Sequence, residues 1–439
     1  MKRHILYCIF PGLMAFLPIG QKENNRPWLH PEFALSHSQF AFHLMNAVLA
    51  EDTTSNNKLI SPLSLYFSLS MLYNGAGHAT RDSIAEALHT GDMAIPNLNS
   101  FCKETIQQMP LLDNTVRINS ANSIWYNRRK LTLSPTYESI VGNFFYTQPQ
   151  PLNFGTRDAA QHINQWIDQN THHMIPSVID RSSPRDGMYL VNAFYFKGDW
   201  SVPFPAEHSD KKDFYVHPDE APKKVGYMNR TGVIRTFSDT AFTMVEMPCG
   251  DGGNYSLFAL LPENASTAAT GLALSLSPDR LKDAMDKMTP QMIALSVPCW
   301  ENTYSINDLH PVLGRLGMGN AFNSNGEADF SNMYSTGARK AYISQFKHTT
   351  CIRVNENGME AASAAGGMEN MRPGVTHRPG QPRIICFDHP FLYVLMEKQR
   401  NLLLLMGVVN DPSLKASTGT PAPSPKPKPA AKRRWWRKK

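Results

Sequence analysis

An α+β architecture, with mixed or antiparallel sheets and a helical layer, follows from three observations on the chain. Helical periodicity gathers in the first part, extended apolar runs dominate the second, and the two intermix around residue 120. With 439 residues, 42% of them hydrophobic, there is enough apolar mass for one large core. No repeat at the roughly 20–50 residue spacing of solenoids is visible.

The elements follow in order. Residues 1–20 begin with Lys2 and Arg3, run apolar from Ile5 to Ile19 and end on Gly20. That pattern predicts an export leader, too short and too proline-interrupted for a stable spanning helix. The chain is accordingly expected to be secreted, into an extracellular or periplasmic space. Residues 21–34 are polar and read as a loose N-terminus, and the main domain is expected over 35–411. A first helix is predicted from Ser36, carrying Phe40, Phe42, Leu44, Met45, Ala47 and Val48 at helical spacing. A second follows Ser61-Pro62, where serine suits the cap and proline the first turn. It ends near Gly75-Ala76-Gly77. Thr80-Arg81-Asp82 opens a third, and Ile163–Ile167 leads another, broken at Pro176.

Strands take over from there. Arg117–Tyr126 alternates loosely, and Met188–Phe196 is nearly continuous in apolar β-formers, as in a strand buried on both faces. Thr243–Pro248 and Ser256–Pro262 flank the glycine-rich Gly250–Gly253, a hairpin signal. Single strands are predicted for Met292–Trp300, Thr349–Val354, Phe391–Met396 and Leu402–Val409.

Beyond Asp411 the composition changes abruptly. Residues 412–439 alternate proline with Ala, Ser and Lys and end in a basic cluster around Trp435-Trp436. They are expected to be disordered, extended and solvated. This tail holds nine Lys and Arg and no acid. Removing those nine charges and the leader's two from the total of +6 leaves −5 on residues 21–411. The body is therefore mildly acidic, and the tail alone implies an anionic polymer or a membrane surface as partner. Five cysteines lie outside the leader, at Cys102, Cys249, Cys299, Cys351 and Cys386. An odd number without short-range spacing predicts buried small hydrophobes rather than a disulfide framework.

The motifs of catalysis are absent. There is no Gly-x-Ser-x-Gly, no His-Glu-x-x-His, no phosphate-cradling loop and no dinucleotide fingerprint. His172-His173 would diverge by about 100° on a helix, which is poor geometry for a shared metal. Asp388-His389, placed next to each other on a strand, would point to opposite faces, which argues against a triad. Neither a cofactor nor a metal is expected.

What remains is an unusual segment. Val354–Gly367 reads as extended, with side chains small on both faces, and on composition alone it would be a flexible Gly/Ala loop. Few side chains obstruct it, yet it offers a full set of backbone donors and acceptors, so it could slide between two strands. The pattern Glu356-x-Gly358-x-Glu360-Ala361-Ala362-Ser363-Ala364, a long loop, and then Asp388-His389-Pro390-Phe391 resembles the hinge and C-terminal motif of the serpin family. Asn57–Ser64, with Ser61-Pro62 at its centre, is similar to the family's Asn-x-x-x-Ser-Pro-x-Ser. Gly75-Ala76 and Thr80 follow on cue. Asn192-Ala193-Phe194-Tyr195-Phe196-Lys197-Gly198-Asp199-Trp200, with Phe204, matches a second family motif, while Glu246-Met247-Pro248 and Leu260-Leu261-Pro262 fit its central hairpin. The likeness is to an exported, bacterial-type member.

The resemblance implies a suicide-substrate inhibitor of serine, or of cysteine, endopeptidases and not an enzyme. The loop, about 356–382, would be bait for a target protease, trapped covalently when the cleaved loop inserts into the main sheet. It further implies a hinge at Glu356, Gly358, Met359, Glu360, Ala361, Ala362, Ser363 and Ala364. A polar shutter would be made by Ser61, Ser64, Asn192 and His348, with Trp200 at the breach where the loop enters. The reactive bond is placed at Met371–Arg372, because the family's usual count ends at Arg372, and Pro373 makes the next bond a poor substrate. Met359 departs from the family's Thr or Ser, and its bulk is expected to slow insertion. A monomer is expected. Two other readings stand beside this one: a serpin fold that traps no protease, and a polyanion- or surface-binding protein acting through its tail.

Overall fold

A computed structural model describes residues 30–360 and 381–419, apart from 172, 174–176, 178, 266–268, 323–326, 337–341 and 415. Residues 1–20, expected to be a leader, Ala361–Ala364, the expected reactive bond Met371–Arg372 and the tail from residue 420 lie outside the described residues. Helices, in chain order, are α1 (Glu32–Glu51), α2 (Pro62–Gly75), α3 (His78–Ala87), α4 (Ile95–Gln108), α5 (Pro135–Phe145), α6 (Arg157–Asn170), α7 (Ala269–Ser275), α8 (Pro278–Asp286) and α9 (His310–Leu313). The first strands are β1 (Lys58–Ile60), β2 (Arg117–Asn127), β3 (Thr132–Leu133), β4 (Gln150–Leu152) and β5 (Met188–Asp199). The middle ones are β6 (Asp210–Phe214), β7 (Lys223–Ser238), β8 (Phe242–Cys249), β9 (Tyr255–Pro262), β10 (Thr289–Pro298) and β11 (Trp300–Ile306). The last are β12 (Tyr334–Thr336), β13 (Ile343–Val354), β14 (Gly358–Glu360), β15 (Arg383–Cys386), β16 (Phe391–Glu397), β17 (Leu402–Val409) and β18 (Ala416–Gly419).

Two large sheets organise the molecule. The main sheet runs β4–β2–β5–β14–β13–β11–β18, and the other runs β1–β17–β16–β9–β8–β7–β10–β15, with β6 added beside β7. This is the α+β architecture expected. Helix α2 is buried along its whole length and packs against β2, β5 and β17, so it sits between the two sheets. An all-round apolar helix is stable only in such a place. The hairpin β8–β9 pairs antiparallel from Phe242/Pro262 to Cys249/Tyr255, and β16 and β17 close against it and against β1.

Four expectations need correction. Helix α1 begins at Glu32, and Phe33 is buried against Phe101, with ring centroids 5.5 Å apart, so residues 32–34 are not a loose N-terminus. The single strand expected over Met292–Trp300 is two strands in different sheets. β10 ends at Pro298 and β11 starts at Trp300, because Cys299 carries the chain across from one sheet to the other. The tail is not wholly unpaired, since Ala416–Gly419 lies parallel to Thr303–Ile306 on the edge of the main sheet. Finally, Asp388 and His389 do not diverge. They sit in the turn before β16, where Nδ1 of His389 lies 2.8 Å from Asp388 Oδ1 and Nε2 lies 2.9 Å from the Pro262 carbonyl oxygen. With both ring nitrogens so occupied, the pair ties a turn to β9.

Candidate functional site

The seam between β5 and β13 has two halves. In its lower part the strands pair directly and in parallel, from Met188/Ile343 through Asn192/His348 to Phe194/Thr350. In its upper part they separate, and β14 fills the space, antiparallel to both neighbours. Met359 lies opposite Gly198 on one side and Val354 on the other, Glu360 opposite Arg353, and Gly358 opposite Asp199. The segment 356–360, expected to belong to an exposed loop, is thus a tight turn followed by a strand already inside the sheet.

Local chemistry makes that turn. Asn355 Oδ1 accepts from the backbone N–H groups of Asn357 (3.0 Å) and Gly358 (3.3 Å), the Asx arrangement that reverses a chain. Gly358 is required by close approach, since a Cβ there would lie 2.4 Å from the Gly198 carbonyl oxygen. Trp200 is buried beside the turn. Its indole N–H donates to the Asn355 carbonyl (2.8 Å) and its backbone N–H to the Asn357 carbonyl (2.9 Å). Glu356 accepts from Ser209 Oγ at 2.6 Å and also approaches Cys299, whose thiol is pushed up to about 12 by burial first and by the glutamate second. Met359, whose bulk was expected to hinder entry, is buried at 1% exposure within the main core. In this state it is already inside the sheet.

Below β14 lies a buried polar cluster that unites the four residues expected together. The backbone N–H of Ser61 donates to His348 Nε2 (3.0 Å), so Nε2 is an acceptor and the imidazole proton sits on Nδ1. That proton is donated to Asn192 Oδ1 at 2.8 Å, and the Thr350 hydroxyl, also 2.8 Å from Nε2, donates to it as well. Ser64 Oγ donates to Asn192 Oδ1 at 2.7 Å. Burial brings the His348 pKa down to about 3, so the ring is neutral. Ser61 does not cap α2 with its side chain. Its hydroxyl turns away to donate to the Leu404 carbonyl (2.9 Å), linking the cluster to β17 in the other sheet.

Three members of the cluster escaped the sequence reading. Asn192 Nδ2 donates to Asn122 Oδ1 (2.6 Å) and to Ser68 Oγ (3.3 Å), Ser68 donates to Asn122 (2.6 Å), and Thr350 completes His348. Ser68 had a signal, being one helical turn beyond Ser64 on the same face of α2. Asn122 had none until its strand register was known, for it pairs directly opposite Asn192.

Among the described residues no group of three or more His, Cys, Asp or Glu could hold a metal ion, no helix is long and apolar enough to cross a membrane, and the five cysteines are unpaired. What the arrangement can do is mechanical: a sheet already parted at one end, with a hydrogen-bonded cluster at the point where it closes.

That geometry agrees with the comparisons. The sequence model of the serpin (serine protease inhibitor) family matches residues 35–412. The chain belongs to the serpin family. It is 27% identical over 428 residues to human plasminogen activator inhibitor 2, covering 87% of this chain and 100% of that protein. To the leukocyte elastase inhibitor of Xenopus laevis it is 28% identical, covering 85% and 98%. The native structure of tengpin, a thermophilic serpin, superposes with a TM-score of 0.77 at 24% identity, covering 90% of this serpin and 97% of tengpin. Human thyroxine-binding globulin in complex with thyroxine gives the same score at 21% identity, covering 88% and 100%. The family is one of protease inhibitors, and β18 falls beyond its matched region.

Proposed function

We propose that this serpin is a secreted, monomeric suicide-substrate inhibitor of serine or cysteine endopeptidases. The observation that carries the reading is β14, a strand already started between β5 and β13 at the head of a seam that is paired below. Continuing its register places residue 361 level with Phe196 and Ile352, residue 363 level with Phe194 and Thr350, and residue 365 level with Asn192 and His348. Ala361, Ser363 and Ala365 would then follow Met359 on the core face, and all are small and uncharged. Insertion would exchange the direct β5–β13 pairs for two new ladders, and the His348–Asn192 bond would have to part for residue 365 to pass.

In the chemical step the protease nucleophile attacks the Met371 carbonyl. The Met371–Arg372 amide bond breaks, the nucleophile's proton leaves with the new Arg372 amine, and an acyl-enzyme remains on Met371. In this reading Trp200 orders the entry point, and Ser61, Ser64, Asn192 and His348 act as the shutter. The basic tail adds affinity for an anionic polymer or membrane surface, and that retention should fall with salt and vanish on truncation at Asp411.

A second reading, a serpin that traps no protease, is favoured by a cavity of about 450 Å³ between α1, α8 and the β16–β17 turn. Its lining includes Leu35, Phe42, Phe101, Met285 and Met396. That is room for a small, largely apolar ligand, and thyroxine-binding globulin shows that a protein of this fold can bind a small molecule. One experiment separates the readings. Cleavage of the loop, with fragments identified by mass spectrometry, should raise the melting temperature sharply and, with a target protease, give a covalent complex. An unchanged melting temperature after clean cleavage would sink the inhibitory reading.

A further inference from the structure

The turns at the lower end of the main sheet carry a charge opposite to that of the body. Three segments meet there: 127–131 after β2, 152–158 leading into α6, and 180–187 leading into β5. Asn127 Nδ2 donates to the carbonyls of Pro184 (3.4 Å) and Asp186 (3.1 Å), and the Arg128 backbone N–H donates to the Leu152 carbonyl (3.1 Å). The Gly155 N–H donates to Ser182 Oγ at 3.0 Å, so the three turns form one surface. They hold six cations, Arg128, Arg129, Lys130, Arg157, Arg181 and Arg185, against three acids, Asp158, Asp180 and Asp186. That positive surplus stands on a body whose residues 21–411 sum to −5.

All six cations are exposed, and none forms an ion pair with a described carboxylate. Arg128 Nε donates to Asn153 Oδ1 and Lys130 Nζ to the Arg185 carbonyl oxygen, neutral partners that leave both charges unopposed. Arg129, Arg157, Arg181 and Arg185 make no side-chain hydrogen bond to a described residue, so the fold does not require them to be basic. Asp186, by contrast, is occupied by the Tyr189 hydroxyl and the Ser183 N–H. Cations gathered without counter-charges repel one another, and an anionic partner relieves that repulsion.

The place of this surface selects the partner. β5 runs from Met188 at this pole to Asp199 beside β14, so the cations lie about 36 Å from the point where β14 enters the sheet. β18 descends along β11 from Thr303 to Ile306, toward the same pole, and residues 420–439 follow it with eight of the tail's nine cations. From β18 through β11, β13 and β5 to β2 is four strand spacings, about 19 Å, whereas twenty extended residues span up to about 66 Å. The tail is thus long enough to share whatever this pole touches. Its Trp435-Trp436 pair favours lipid over a soluble polyanion, because indoles settle at the headgroup level while Lys and Arg meet the phosphates.

We infer that Arg128, Arg129, Lys130, Arg157, Arg181 and Arg185 form a docking face for an anionic lipid bilayer, which stands the molecule on its lower pole with the β14 end turned to solvent. The inference extends the tail affinity proposed above to the body of the protein, and it does not depend on protease trapping.

The test measures partition of the full chain onto vesicles of phosphatidylglycerol and phosphatidylcholine, with pure phosphatidylcholine vesicles reporting any apolar binding. One variant combines Arg129→Gln, Arg157→Gln, Arg181→Gln and Arg185→Gln, and a second changes the same four to Lys. A third changes the last six cations of the tail to Gln. At low salt the body Gln variant should lose at least about tenfold in affinity for the anionic vesicles alone, with its melting temperature unchanged, while the Lys variant loses less than about threefold. Adding the body Gln changes to the tail variant should weaken it further. Bound wild type should show slowed amide exchange at 128–130 and 181–185 and unchanged exchange at 356–360. No preference of wild type for anionic vesicles, or a body Gln variant within twofold of wild type, would overturn the docking face and leave the inhibitory reading intact. Slowed exchange at 356–360 in place of the turns would overturn the orientation. Weaker retention on a sulfated polysaccharide with vesicle affinity unchanged would assign the cations to a soluble polyanion instead.

Discussion

Two seams of this serpin, β16–β17 and β5–β13, differ in what their second strand brings to the pair. β16 and β17 pair antiparallel from Phe391/Val409 to Glu397/Leu402, and every residue of both strands is buried, nearly all of them apolar. β5 and β13 pair in parallel, with the largely apolar β5 set against Gln345, Lys347, Thr349 and Thr350 as well as Ile343 and Phe346, and a polar cluster spans the pair at Asn192 and His348. An interdigitated apolar seam can part only by exposing its side chains or leaving voids, and both costs are steep. A polar seam parts at the cost of hydrogen bonds, which an incoming strand can remake. On the proposed function, the chain would have one sheet that closes permanently and one whose closure is provisional.

The largest effect should come from the permanent seam. Leu395→Ala, at a fully buried position, should cost about 2–5 kcal/mol of unfolding free energy, read from denaturant titration. The loss should be the same whether or not the loop has been cut, and a loss confined to the uncut form would break the distinction between the seams. A smaller loss, about 1–3 kcal/mol, is expected for His348→Ala, which strands Asn192 and the Ser61 N–H. Unlike Leu395→Ala, it should also yield polymer or a loop-inserted monomer on mild heating. If the variant stays monomeric and fully inhibitory, the shutter assignment fails. Coupling between His348→Ala and Asn192→Ala in a double-mutant cycle should be large, because both remove members of one network.

Acid sharpens the same contrast. His348 and His37 are fully buried, and burial lowers both to about 3 from an ordinary value of 6.5. The unfolded chain therefore takes up protons first. The stability these rings allow is complete above pH 6.5 and drains as pH falls toward 3, by about 1.4 kcal/mol per pH unit for each histidine inside that window. His37→Leu should flatten the slope without promoting polymers, since His37 packs against Tyr66 away from the seam, with ring centroids 5.4 Å apart. The smallest effect concerns the outer edge of the main sheet. Thr418→Pro removes a backbone donor from β18 and should leave stability within about 0.5 kcal/mol. Amide exchange at those N–H groups of Thr303–Ile306 that face β18 should nevertheless quicken by tenfold or more, as a bare strand edge allows, while those facing β13 keep their protection. Unchanged protection there would mean that β18 does not hold that edge.

Reading the sequence placed α1, α2, β2, β5, the β8–β9 hairpin and the β16–β17 pair close to where they lie. Each is long and periodic, so its identity is written in neighbouring residues. Ser61, Ser64, Asn192 and His348 were found through motifs, and the structure brings them within hydrogen-bonding range of one another. Asn122 was out of reach because only the β2–β5 register sets it against Asn192. The contact between Asp388 and His389 was misjudged because strand alternation was assumed across a turn.

The sequence by itself determined the α+β class, the long elements, the family motifs and the division between an acidic body and a basic tail. All of these rest on composition or on spacing within about a dozen residues. Tertiary structure alone decided that Cys299 carries the chain between two sheets, that Gly358–Glu360 is already a strand with Met359 buried, and that β18 lies on the sheet edge. It also decided that the turns bearing Arg128, Arg157 and Arg185 meet at one pole. Those outcomes depend on which strands meet and in what register, and register is set by contacts between residues far apart in the chain.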